Sequence, residues 1–204
     1  MKKVITSQDV PETGDFRVPR GSVVTPSARE LMVERGVRLL EVAEDQIPGA
    51  PPGKTIAVGA DHGGYRLKET LKPVLLSLGL EVRDVGVHAE QPADYPDLAL
   101  AVAELVASGA ATRGIVIDGA GIGSSIAANK VPGIRAALCY DKASARNSRE
   151  HNDSNVLTLG ARLLTETQAE EVLRTWIGTS FAGGRHQARI QKILDIEQRY
   201  RNKS

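Results

Sequence analysis

Gly114–Lys130, G-I-V-I-D-G-A-G-I-G-S-S-I-A-A-N-K, reads as a buried strand, Ile115-Val116-Ile117, that runs into a glycine-rich turn and then a helix. Gly119, Gly121 and Gly123 form the turn, and Asp118 stands at the strand's end. Glycines let backbone N–H groups approach a ligand closely and point at it. A helix N-terminus directly behind such a turn favours negative charge. The stretch is therefore built to hold an anion while Asp118 handles a proton.

Outward from it, the chain alternates. Strands are expected at Thr55–Gly59, Leu80–Val85, Gly114–Ile117, Ile134–Cys139 and Asn155–Leu159. Helices are expected at Tyr65–Leu78 (interrupted near Pro73), Asp97–Ala107, Gly123–Lys130, Lys142–Arg149, Thr165–Ile177 and His186–Tyr200. Such alternation implies an α/β fold, a three-layer sandwich on a mostly parallel, five-stranded, Rossmann-like sheet. Ligands of such sheets bind beyond the carboxyl ends of the strands. Asp61 and His62 follow the first of these strands, Asp118 and the glycine turn follow the third, and His151, Asn152 and Asp153 lie just before the fifth. These loops are expected to converge on one rim.

Residues 1–46 form a different, small α+β module: short strands at Val4-Ile5, Phe16–Val18 and Val37–Val42, and a helix capped by Thr25 with Pro26 in its first position and Gly36 at its end. Residues 47–53 hold three prolines and two glycines, so they read as a linker. Residues 54–204 are then the main domain.

Composition narrows the function. Lys+Arg number 26 against 25 Asp+Glu in 204 residues, so the basic surplus that non-specific nucleic-acid binding needs is missing. No run approaches the roughly 18 apolar residues of a membrane span, and the N-terminus has no apolar signal core, which points to the cytoplasm. One cysteine, Cys139, excludes an internal disulfide and a cysteine-cluster metal site, and the four histidines lack zinc-motif spacing. No metal or cofactor is expected. The first strand of the main domain ends in A-D-H-G-G, which does not fit a dinucleotide fingerprint, and no Walker loop occurs.

Taken singly, the polar clusters are ambiguous. Asp61 is either a helix cap or a functional group, and His151–Asp153 is either a polar turn or part of a site. Arg185 and Arg189 share a helix face and form either a phosphate clamp or a solvated surface. Together they resemble the ribose-5-phosphate isomerase type B family, which includes galactose-6-phosphate isomerase subunits. The matching pieces are G-A-D-H-G-G-Y-x-L-K (59–68), D-Y-P-D (94–97), the glycine turn closing in I-A-A-N-K (126–130), G-I-R-A (133–136), R-E-H-N-D-x-N-V-L (149–157), G-A-R (160–162) and G-G-R-H-Q-x-R (183–189).

The resemblance implies a metal-independent aldose–ketose isomerase that works on a phosphorylated sugar through a cis-enediolate, ribose 5-phosphate to ribulose 5-phosphate first of all. It implies phosphate binding by His62, Arg162, Arg185 and Arg189, with Asp61 near the sugar. It implies ring opening by His151 beside Asn152, an oxyanion hole from the backbone of Gly119, Ala120, Gly121 and Gly123, and a substrate contact from Ser124. It also implies homodimers, with tetramers an option, whose sites use residues of both subunits. Many members carry a cysteine base at the position of Asp118; others carry a glutamate at the position of Ser124. A base-assisting Ser or Thr is common at the position of Ala120. Three readings follow: Asp118 is the base, the sugar phosphate is a different one (tetrose or hexose), or the chain is a sugar-phosphate-binding or scaffold subunit without turnover. Separately, V-P-R-G-S-V-V-T-P-S-A-R-E (18–30) with R-G-V (35–37) looks like a short segment of some bacterial-microcompartment-associated enzymes. That likeness implies recruitment to a shell or partner enzyme through residues 1–46; a structural add-on at the dimer interface is the alternative.

Overall fold

The computed structural model describes residues 4–42 and 55–201. The chain divides into two compact units, Met1–Pro51 and Pro52–Ser204. The expected linker, 47–53, lies outside the described residues.

In the first unit, β1 (Val4–Ile5) pairs in parallel with β3 (Val23–Val24), and β2 (Asp15–Pro19) with β4 (Arg38–Val42). The strand Val23–Val24 is additional to the strands expected in this unit. Helix α1 (Pro26–Glu34) starts as expected, with the Thr25 hydroxyl accepting from the Ala28 N–H at 3.3 Å. Ile5, Val10, Val18, Val24, Ala28, Met32 and Val37 form the unit's own core.

The second unit holds one five-stranded sheet, β5 (Thr55–Ala60), β6 (Glu81–Asp84), β7 (Arg113–Asp118), β8 (Ala136–Leu138) and β9 (Val156–Gly160), in the order β6-β5-β7-β9-β8. Every pair is parallel. The central strands are apolar on both faces because helices cover both. On one face Ile56, Val58, Ile115, Ile117, Leu157 and Leu159 meet α2 (Tyr65–Ser77), α5 (Lys142–Glu150) and α6 (Glu166–Gly178) around the fully buried Trp176. On the other, Ala57, Val116 and Val156 meet α3 (Tyr95–Ala107) and α4 (Ile122–Ala128) through Ala99, Val102, Ala103 and Ala128. Helix α7 (Arg185–Arg201) ends the described chain.

The expected break near Pro73 does not occur: α2 runs through it to Ser77. Proline removes one N–H from the ladder, at a cost of about 3 kcal/mol in an isolated helix. Leu67, Leu71 and Leu75 bury the face that offsets it, while Pro73 itself is exposed.

Candidate active site

Parallel strands give the sheet two unlike edges. Gly114 pairs with Val156 at one end of β7 and Asp118 with Gly160 at the other. The expectation that the candidate loops meet at one rim does not hold within the chain. Asp61, His62, Asp118, the glycine turn and Arg162 follow strands, at the carboxyl edge. His151, Asn152 and Asp153 precede β9, and the Asn155 carbonyl accepts from the Gly114 N–H, at the amino edge. The four residue steps from Gly114 to Asp118 alone separate the two edges by about 13 Å at about 3.3 Å per residue.

At the carboxyl edge Asp118 is the centre. Its carboxylate is buried and accepts four hydrogen bonds. The Ala120 N–H (2.7 Å) and the Gly121 N–H reach Oδ1; the Ser124 N–H (3.0 Å) and the Ser124 hydroxyl reach Oδ2. The turn can do this because Gly121 takes a left-handed conformation, φ +76°. The backbone N–H groups of Ala120 and Gly121, expected to serve a sugar oxygen, are held here by Asp118 itself. Ser124, expected to touch substrate, is completely buried against that carboxylate.

The neighbours close around the turn. A Cβ on Gly119 would lie 3.4 Å from the Arg162 guanidinium, and the Arg162 N–H donates to the Gly119 carbonyl at 3.0 Å. A Cβ on Gly123 would lie 2.5 Å from the Tyr95 ring, so glycine lets that aromatic cover the turn. The Tyr140 hydroxyl donates to the Ala120 carbonyl at 3.1 Å. Asp61 is buried and its Oδ1 accepts from the Gly64 N–H at 2.9 Å, the local capping role. The Asp61 N–H donates to the Ile117 carbonyl, which binds this loop to β7. His62 is exposed beside it.

The amino edge carries a second cluster. The His151 ring stacks on His186 at 4.1 Å between centroids, 5° from parallel. The Asn147 side chain lies 2.9 Å from His151 Nδ1; with its amide N–H donating there, Nε2 carries the ring hydrogen. Arg149 fixes the turn below, through Asp153 Oδ1 (2.7 Å) and the Ser154 carbonyl (2.6 Å). Arg185 and Arg189 open α7, with Arg185 Nε 3.5 Å from His186 Nε2. His186 is buried, and among the described residues its Nδ1 has no hydrogen-bond partner. Burial first, then repulsion from His151 when it is protonated and from Arg185 and Arg189, hold its pKa below the ordinary value against Glu150. Sequence reading left His186 unassigned although it sits inside G-G-R-H-Q-x-R; the signal was a histidine between two arginines.

Among the described residues no three His, Cys, Asp or Glu side chains gather as a metal site, and no helix is long and apolar enough to cross a membrane. Cys139 is buried, with Sγ 3.8 Å from the Ser148 hydroxyl.

A parallel α/β sheet with a buried carboxylate in a glycine turn, an arginine against that turn and a histidine–arginine cluster on the opposite edge has the groups that an α/β enzyme for an anionic substrate needs. Comparison with known proteins makes this specific. The Ribose/Galactose Isomerase family matches residues 56–193, and the chain belongs to it. It is 46% identical over 146 residues to ribose-5-phosphate isomerase B of Escherichia coli, covering 72% of this chain and 98% of that one. It is 40% identical over 141 residues to D-erythrulose-4-phosphate isomerase of Pectobacterium atrosepticum, covering 68% and 92%. The solved ribose-5-phosphate isomerase B of Clostridium thermocellum superposes with a TM-score of 0.71 at 52% identity, over 72% of this chain and 99% of that one. The chain is thus a sugar-phosphate isomerase of the aldose–ketose type, carrying an additional N-terminal unit.

Proposed function

We propose that this chain interconverts ribose 5-phosphate and ribulose 5-phosphate through a cis-enediolate, with Asp118 as the base. The observation that carries the reading is the Asp118 carboxylate, fixed in the glycine turn at the carboxyl edge, with Arg162 against Gly119 of the same turn. Moving a proton between adjacent carbons needs one base within reach of both. His151, with its Nε2–H, protonates the ring oxygen during opening, and Asn152 sits beside it. His62, Arg162, Arg185 and Arg189 hold the phosphate, Asp61 shapes the sugar pocket, and no cofactor is needed. Because the two clusters lie on opposite edges, a complete site takes His151, Asn152, Arg185 and Arg189 from a second copy. Exposed Ile122 and Ile126 on α4, and Ile193, Ile196 and Tyr200 on α7, suit such a homodimer.

A tetrose phosphate is the second reading. Two observations favour it: a relative of 40% identity is named for erythrulose 4-phosphate, and the aspartate base is about one carbon shorter than a glutamate. A coupled assay with ribose 5-phosphate and a panel of tetrose and hexose phosphates decides between them. Asp118→Asn is expected to lower kcat by about 10²–10⁴-fold, the range of general-base catalysis, while sugar-phosphate binding by calorimetry stays within about twofold, since less than half a kcal/mol is involved. Near-normal turnover in that variant would overturn Asp118 as base. Silence of the parent with every sugar, despite binding, would mark a binding or scaffold subunit.

For residues 1–46 we propose recruitment of this cytoplasmic enzyme to a bacterial microcompartment. The support is the short likeness of 18–30 and the unit's own core. Deleting residues 1–50 is expected to leave activity and abolish co-purification with shell or partner enzymes. Loss of the dimer instead would mean an interface role.

A further inference from the structure

In each turnover a base alternates between two forms, and its surroundings must suit both. As a carboxylate, Asp118 uses four donors. As the carboxylic acid formed on taking the sugar's proton, it carries a hydrogen that needs an acceptor. Three of its four partners are backbone N–H groups, which only donate. The fourth, the Ser124 hydroxyl at Oδ2, has lone pairs of its own and turns about its Cβ–Oγ bond. Ser124 is completely buried, so water does not compete for it.

We propose that Ser124 is the positioning residue of the isomerisation: it donates to the Asp118 carboxylate and turns to accept from the Asp118 acid. This rests on Asp118 being the base. The sugar's C–H bond breaks, its proton forms Oδ2–H, and the electron pair stays on the sugar as the enediolate. Ser124 Oγ turns its own hydrogen, which stays on Oγ, off Oδ2 and accepts from Oδ2–H. Return of the proton to the neighbouring carbon restores the carboxylate and the original hydroxyl orientation.

The test compares Ser124→Ala, Ser124→Thr and Asp118→Asn in the full chain with ribose 5-phosphate, or with whichever sugar phosphate proves active. Ser124→Ala is expected to lower kcat by about 10- to 100-fold, the lower part of the general acid–base range, with KM within about twofold because the serine is shielded from substrate. Threonine, which keeps the hydroxyl, is expected to restore kcat to within about threefold. Melting curves establish that each variant is folded. If alanine does not fold, Ser124→Cys, close in size but a weak donor and acceptor, takes its place with the same expectations. A kcat within about threefold of the parent in the alanine variant, or a loss carried by KM instead, overturns the role of Ser124. Those results with Asp118→Asn inactive leave the base assignment standing, whereas an active Asp118→Asn removes that assignment itself.

Discussion

At the scale of single residues, the turn depends on Gly121 more than on its other glycines. A side chain there would sit in the left-handed region, with its Cβ 2.5 Å from Leu138 Cδ1 and 2.8 Å from the Leu159 carbonyl carbon. The conformation alone costs about 1–2 kcal/mol, and the backbone contact cannot relax by a rotamer change. Gly121→Ala is therefore expected to lower stability by about 2 kcal/mol or more in urea melts. It should also lower kcat, because it moves an N–H that holds Asp118. Gly119→Ala is the contrast. The atoms nearest its Cβ would be those of the flexible Arg162 side chain, from 3.4 Å. Stability should hold within about 0.5 kcal/mol while KM rises through a displaced Arg162. The residues of this turn were legible from the sequence, but their partners were not. Glycine spacing and a strand-end carboxylate announce an anion site; nothing in the spacing says that the anion is the chain's own Asp118, since that follows from one side-chain rotamer. Asp61 shows the same limit, because capping and substrate contact call for the same residue at the same place.

Among the elements, α2 is tied to β6 by a buried charge. Lys68 is fully buried, and its Nζ donates to Asp84 (2.7 and 2.8 Å) and to the Val87 carbonyl (2.7 Å). Lys72 also reaches Asp84, at 2.8 Å. Burial pushes the Asp84 pKa up, but the bonds from Lys68, Lys72 and the Gly86 N–H outweigh it and leave the value lowered. Its contribution is thus present above the ordinary value of 3.8 and lost as pH falls through the folded-state value. Breaking a buried pair costs about 3–5 kcal/mol, and Lys72 keeps Asp84 from being stranded, so Lys68→Met should sit near the low end, about 3 kcal/mol by urea denaturation. His186 adds a second window. Its lowered pKa means that the unfolded chain takes up a proton first as pH falls below about 6.5, so acid destabilises the fold from there down. His186→Gln should flatten the stability curve between pH 6.5 and the folded-state value, read as melting temperature against pH. Strands and helices of this domain were legible because apolar runs and punctuating glycines mark them. The continuity of α2 through Pro73 was not, because it comes from packing of Leu71 and Leu75 that no local propensity encodes.

For the whole molecule, the decisive fact is which edge of the sheet each cluster occupies, and the rule for reading it was already in the sequence. Residues after a parallel strand lie at its carboxyl edge and residues before one lie at the other, so His151, preceding β9, belongs opposite Asp118. What sequence order leaves out is the second copy that would bring the edges together. A two-fold dimer makes the prediction quantitative. Take Asp118→Asn and His151→Ala, each expected to be inactive alone. In a mixed dimer one shared site receives both substitutions, and the other receives intact Asp118 from one chain and intact His151 from the other. Random pairing of equal amounts makes about half the dimers mixed, each with one good site of two, so about a quarter of parental activity should return. The experiment is to unfold and refold the two variants together, or to co-express them with different tags and purify the doubly tagged species, and to measure kcat per site. Mixing without subunit exchange should restore nothing. If the doubly tagged dimer stays inactive while each parent dimer binds sugar phosphate, the two clusters do not share a site, and catalysis must be built on the carboxyl edge alone.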